Sequence, residues 1–177
     1  MVCRPLALNF SIEFEQHSPL RNKRQLKESN LKIEDLTAVI DSREQNPLPL
    51  DPLKTVIKKL EVADYSAVGY ENKIAIEKKS LNDLCACVGR ERERFDRMVK
   101  RLLNYEYRAI VVTDDWSKID LKQYHGTLTP IQIYSAIMAW AMTAQVPIMF
   151  MGSHQRAGLA VARMIYIAVN RERRKFA

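Results

Sequence analysis

Four acidic residues and one lysine carry the chemistry this sequence can perform. Asp41 ends the β-branched run T-A-V-I-D, and Glu44 follows three residues later in D-S-R-E. Asp64 lies in V-A-D-Y, and Glu77 and Lys79 lie in I-A-I-E-K-K. Side chains of an extended chain alternate between faces, so Glu77 and Lys79 share one face while Ile74 and Ile76 share the other. Carboxylates gathered at one end of a sheet repel one another and demand either a proton or a cation. Mg²⁺ binds one or two carboxylates plus waters and keeps positions for a phosphate. It can polarise a phosphoryl oxygen and help form hydroxide near neutral pH. A lysine beside it opposes the negative charge that grows in the transition state. Asp…Glu-x-Lys is therefore a minimal kit for phosphodiester hydrolysis. It makes Asp41, Glu44, Asp64, Glu77 and Lys79 the candidate catalytic residues. Asp64, Glu77 and Asp41 are the candidate ligands for Mg²⁺ or Mn²⁺. Taken singly, each is equally well a solvated charge at a strand end, and E-x-K arises by chance in charged chains.

The elements that must position these residues are visible in the patterning. Residues 37–41 read as a buried strand. Asp51-Pro52 reads as a helix start, a capping aspartate before a first-turn proline, with the helix running to about Leu60. Tyr65–Tyr70 and Lys73–Lys78 flank Glu71-Asn72 as a hairpin. Gly89–Asn104 reads as one amphipathic helix, because Phe95, Met98, Val99, Leu102 and Leu103 fall on one stripe. Ala109–Thr113 and Val146–Met151 read as strands, Thr129-Pro130 opens a helix to about Ala144, and Ser153 caps a last helix to about Arg174. Alternating strands and helices imply an α/β domain with a mixed sheet flanked by helices. Upstream, Leu6, Leu8, Phe10, Ile12 and Phe14 alternate as a half-buried strand, and residues 15–36 read as a polar linker. The division expected is an extension at 1–36 and a domain at 37–177.

Composition narrows the partners. The 177 residues are 47% hydrophobic and 28% charged, which excludes a disordered chain and suits one globular domain. Twenty-eight Lys and Arg against 21 Asp and Glu leave a net charge of +7 and a pI near 9.4. A surplus of that sign favours a polyanionic partner. Cys3, Cys85 and Cys87 form no even disulfide framework, and three scattered histidines complete no zinc site. Reduced thiols in an intracellular protein are expected. No apolar run reaches the ~18 residues of a membrane span, and the first residues lack a signal-peptide core. No organic cofactor motif is present.

Arg90, Arg94, Arg97 and Arg101 recur at helical spacing beside the apolar stripe. They read either as a row of phosphate contacts or as a solvated face paired with Glu91, Glu93 and Asp96. Arg171, Arg173, Arg174 and Lys175 add a basic tail. None of these carries a base-reading pattern, so they would position a backbone. Trp140 reads as core. Trp116 reads as the more exposed tryptophan.

The order V-I-D-S-R-E, V-A-D-Y, I-E-K-K-S-L-N-D, G-R-E-R-E-R-F resembles the XPF-type nuclease domain of the PD-(D/E)xK, restriction-endonuclease-like superfamily. That signature is a G-D, then E-R-K-x-x-x-D, with an upstream D-x-R-E. Asp64, Glu77, Lys79 and Asp83 stand at its Asp, Glu, Lys and final Asp. Asp41, Arg43 and Glu44 stand at the upstream element. Ala63 replaces the usual Gly and Lys78 the usual Arg. The resemblance implies a restriction-endonuclease-like mixed sheet and a Mg²⁺-dependent endonuclease acting on branched or flapped DNA in repair or recombination. It adds Arg43 and Lys78 to Arg90, Arg94, Arg97 and Arg101 as candidate DNA contacts. It also implies a homodimer through residues 129–144 and 154–170. Two other readings are a catalytically inactive DNA-binding or partner-binding subunit, and a Holliday-junction nuclease of the same superfamily. Relatives that cut branched DNA often carry a helix-hairpin-helix module after this domain; with the sequence ending at Ala177, none is expected here. It resembles stand-alone prokaryotic or viral members, acting in a bacterial or host cytoplasm.

Overall fold

A computed structural model describes residues 31–176. The strand expected at 6–14 lies outside the described residues. A single 3₁₀ turn, Ile33–Asp35, leads into β1 (Thr37–Asp41). There follow β2 (Lys54–Lys58), β3 (Tyr65–Ala67), β4 (Ile74–Lys79), α1 (Leu81–Val88), α2 (Arg92–Leu102), β5 (Tyr107–Val112), α3 (Ser117–Asp120), α4 (Pro130–Thr143), β6 (Ile148–Phe150) and α5 (His154–Lys175). The strands form one six-stranded sheet in the order β2-β1-β3-β4-β5-β6. Only β3 runs antiparallel to its neighbours. The expected mixed α/β sheet is present, and the hairpin of β3 and β4 supplies its antiparallel part.

Alternation along the strands builds two cores. Ala38, Ile40, Tyr65, Ala67, Ile74 and Ile76 pack with α5 on one face. On the other, Ala75, Ile110 and Val112 pack with Leu81 and Leu84 of α1, Phe95 and Val99 of α2, and Ile133 and Trp140 of α4. Trp140 is core, as read. Trp116 is half-buried, stacked on Tyr134 and edge-on to Phe150, and is the more exposed of the two, as read.

One expectation is corrected, and one helix is added. The helix expected from Asp51 to Leu60 is instead strand β2, paired in parallel register with β1 from Thr37↔Lys54 to Asp41↔Lys58. Three consecutive β-branched residues, Thr55, Val56 and Ile57, favour the strand, and the free edge of β1 needs a partner. The helix expected over 89–104 is present as α2, and α1, which the patterning did not mark, precedes it. Ser80 caps α1 by accepting the Asp83 N–H at 3.1 Å, and Arg90 falls in the turn before α2. The last helix, α5, turns one stripe inward, Gly158, Val161, Ala162, Ile165, Ala168 and Val169, while Leu159 and Ile167 stay exposed.

Small residues in that stripe let α5 lie close to the loop after β1. A Cβ at Gly158 would sit 2.0 Å from the Pro49 carbonyl oxygen. The same loop is tied to β3 by Tyr65, whose hydroxyl accepts the Leu48 N–H at 2.9 Å. Gly158→Ala is expected to destabilise the protein by at least ~2 kcal/mol, because a backbone contact cannot be relieved by a rotamer change. Urea unfolding measures it. A loss under ~0.5 kcal/mol, the range of ordinary surface changes, would show that α5 is not seated on this loop.

Candidate active site

Strand register assembles the acidic residues. Ile40 pairs with Tyr65, and Tyr65 with Ile76. One residue further towards the carboxyl ends of β1 and β4, the next row is Asp41, Asp64 and Glu77. The backbone fixes that row: the Asp41 N–H donates to the Asp64 carbonyl at 2.8 Å, and the Asp64 N–H to the Ile76 carbonyl at 3.1 Å. The row shares its face with Ala75, on the side of α1 and α2. A one-residue slip would turn all three carboxylates to the other core.

The row opens into a cleft of about 530 Å³, lined by Asp41, Asp64, Glu77 and Lys79 and, across from them in the chain, Arg94, Arg97 and Arg101. Lys79 donates to the Glu77 carboxylate, which is buried. Burial alone would lower the Lys79 ammonium's pKa, but contact with Glu77 raises it above the ordinary value. Asp64 accepts the Lys78 N–H at 2.7 Å and, among the described residues, forms no ion pair. Its burial, and then the Glu77 charge, push its pKa up to about 7. Partly buried carboxylates this close together favour a proton or a nearby cation.

Asp41 is placed differently from its neighbours. It is 2% exposed, and both its oxygens are engaged. Oδ1 accepts the Arg43 N–H at 2.9 Å and Arg43 Nε at 2.6 Å; Oδ2 accepts the Leu60 N–H at 2.6 Å and Arg43 Nη2 at 3.1 Å. Burial raises its pKa, yet these bonds outweigh burial and hold it down at about 2. The Arg43 guanidinium is thereby committed to Asp41 and to the Leu60 carbonyl at 2.9 Å. Glu44 is not brought into the cleft. It pairs at 2.7 Å with Lys78, whose side chain lies on the opposite face of β4 from Lys79 and also reaches the Asn46 carbonyl. Lys78 is thus tied to the loop after β1 rather than free for DNA. Arg90 lies outside the cleft, beside the α1–α2 turn. Ala63, where the resembled family has Gly, adopts φ 65, so the left-handed turn before Asp64 is kept.

Asp114 was not singled out by its sequence. Its Oδ2 accepts the Leu81 N–H at 2.8 Å, tying the end of β5 to the first residue of α1, two residues past Lys79. An Asp following a buried strand was the available signal, and it is a common one. Asp83 exchanges hydrogen bonds with Ser80 at the start of α1.

The Asp64 shift has a consequence for stability. Between about pH 4 and pH 7 the folded protein keeps a proton on Asp64 that the unfolded chain has lost. Without metal, stability therefore falls as pH rises through that window. Asp64→Asn removes the effect and can still accept the Lys78 N–H. In EDTA at pH 8 it is expected to be more stable than wild type by on the order of 2 kcal/mol, with the difference vanishing near pH 4. Thermal melts at the two pH values decide this. Equal stability at pH 8 would mean that neither burial nor Glu77 penalises the Asp64 charge.

Residues 40–164 match the ERCC4 domain family. Among solved structures the fold is similar to XPF from Aeropyrum pernix, with 19% identity and a TM-score of 0.60 over 74% of this chain and 60% of that one. It is likewise similar to XPF from Aeropyrum pernix in complex with DNA, with 20% identity and a TM-score of 0.62 over 77% of this chain and 66% of that one. The chain thus spans less than two thirds of the length of either structure. No curated protein matches. The ordered motifs around Asp41, Asp64, Glu77 and Lys79, the mixed sheet that aligns them, and the match over 40–164 agree: the chain belongs to the ERCC4 domain family, with the fold of an XPF-type nuclease domain.

Proposed function

We propose that this chain is a Mg²⁺-dependent DNA endonuclease that hydrolyses phosphodiester bonds on branched, flapped or otherwise structured DNA. The observation that carries the reading is the single row of Asp64 and Glu77, with Lys79 beside them, at the floor of an arginine-walled cleft. The donor set suits a hard cation. Both groups offer oxygen, and burial with the neighbouring Glu77 charge raises the Asp64 pKa, which favours a nearby cation. No group of three or more His, Cys, Asp or Glu converges among the described residues. Mg²⁺ bound by two carboxylates keeps coordination positions for water and phosphate. Asp64 and Glu77 would hold it. When bound it supplies Lewis-acid polarisation of the phosphate and a nucleophile at neutral pH. Lys79, oriented by Glu77, places a positive charge where the phosphate grows more anionic and can hydrogen-bond the attacking water. Asp41 and Arg43 act as positioning residues, locking the end of β1 to Leu60. DNA as the ligand is supported by the DNA complex of the Aeropyrum pernix XPF and by the net charge of +7.

The same reading includes a homodimer. Ile131, Met138 and Met142 are exposed on one side of α4, and Leu159 and Ile167 on α5. Ile131, Met138 and Met142 lie seven and four residues apart, one helical stripe. Action inside the cell, where DNA is found, suits Cys85 and Cys87, both free and buried. No described helix is long and apolar enough to cross a membrane.

Asp64→Ala and Glu77→Ala are each expected to abolish cleavage of a flapped or four-way DNA while leaving the far-UV dichroism unchanged. Lys79→Ala should lower kcat by on the order of 10²–10³-fold with little change in DNA affinity. Mg²⁺ or Mn²⁺ should support cutting, and Ca²⁺ binding only. Cleavage undiminished in EDTA, or in either carboxylate variant, would remove this mechanism. Asp41→Asn separates positioning from ligation: calorimetric titration with Mn²⁺ should still show binding, whereas Asp64→Asn should not.

A further inference from the structure

The cleft is charged unevenly about Lys79. Towards one end it is walled by Arg94, Arg97 and Arg101. Towards the other, the adjoining cavity past Lys79 is lined by Asp83 and Glu91, with Arg94 at the junction of the two. Arg94 and Arg97 are 80% and 69% exposed, and their acidic partners Glu91 and Glu93 lie at 3.5 and 3.9 Å, the outer limit of a contact. They remain available to an anion. Arg101 donates to the Glu61 carbonyl, which fixes its position at the far end of the cleft.

The three arginines stand in one column of α2. A rise of 1.5 Å per residue sets them about 4.5 and 6.0 Å apart along the helix axis. Phosphates of one DNA strand succeed one another at about 3.4 Å along the duplex axis, and further apart along the winding backbone. The column therefore has the spacing of successive phosphates on one strand, within the reach of an arginine side chain. A strand continuing the other way meets carboxylates.

We propose that α2 holds three consecutive phosphates of a single strand, Arg94 next to the scissile phosphate and Arg97 and Arg101 beyond it, so that the enzyme grips its substrate on one side of the cut. The proposal rests on the nuclease reading for where the scissile phosphate lies; the contacts themselves do not depend on cleavage. The contacts are to phosphate alone and carry no base information.

A methylphosphonate walk tests this. A DNA flap oligonucleotide is made with one neutral methylphosphonate at each position in turn. Its Kd is measured by anisotropy in Ca²⁺ at low salt, for wild type, Arg94→Gln, Arg97→Gln and Arg101→Gln. Each variant is expected to weaken binding to unmodified DNA about tenfold, as for loss of a charge-assisted hydrogen bond. Each should have no further effect on the oligonucleotide that is neutral at its own phosphate. The three silenced positions should be adjacent and in the order 94, 97, 101. Scattered positions, positions paired with no particular arginine, or variants that bind like wild type would overturn the proposal. The last of these would return the arginines to a solvated face paired with Glu91 and Glu93. Cleavage of the same oligonucleotides in Mg²⁺ is scored separately. No cutting defeats the nuclease reading while the binding cycle still decides the phosphate track.

Discussion

The repulsion between Asp64 and Glu77 is the constraint around which the rest of the site is arranged. Two carboxylates on one face of neighbouring strands are unfavourable neighbours in a partly buried setting; burial first, and then the Glu77 charge, raise the proton affinity of Asp64. The fold answers with two fixed donors to the carboxylates: Lys79 on Glu77 and the Lys78 N–H on Asp64. Neither of these neutralises Asp64. A partly buried carboxylate is left without a cationic partner among the described residues, and an arginine wall stands beside it. Stability given up at such a place is a common accompaniment of function.

Asp41 belongs to the same row and has the opposite character. Its four accepted hydrogen bonds and its low pKa make it a structural anion, satisfied by Arg43 and by the Leu60 N–H. The difference between Asp41 and Asp64 is one of surroundings, since both are aspartates at adjacent register positions. A buried carboxylate that already accepts from a guanidinium and two backbone N–H groups has little left to offer a metal. Its work is to close the end of β1 against residue 60, where the chain turns back towards Asp64. Glu44 and Lys78 do similar work on the opposite face, joining the loop after β1 to β4.

Much of this was legible in the sequence because period-two patterning states which side of a strand a residue takes. T-A-V-I-D and I-A-I-E-K-K gave the strands, and the parity of Glu77 and Lys79 within them, directly. Caps marked α4 and α5 through Thr129-Pro130 and Ser153. What misled was local chemistry overruled by pairing: Asp51-Pro52 has the form of a helix start, but Thr55, Val56 and Ile57 complete a sheet whose edge needed them. The short α1 escaped because Leu81, Leu84 and Cys85 offer barely two turns of periodicity. Which carboxylate was free could not be read at all. It depends on Leu60 and Arg43 reaching Asp41, contacts set by the return of the chain after β2 and invisible to spacing.

Ala63 shows how the fold holds a conformation its side chain opposes. A non-glycine residue at φ 65 costs on the order of 1 kcal/mol, because Cβ crowds the following carbonyl. The glycine expected there from the family resemblance would adopt it freely. The conformation persists because the next residue is bonded on both sides, to Asp41 through its carbonyl and to Ile76 through its N–H, and because the Ala63 methyl is itself buried in the second core. The methyl that strains the turn also packs it. Backbone strain at position 63 and charge repulsion at position 64 are thus set side by side. Both are held by the same two strands, whose register decides where the carboxylate of Asp64 is presented.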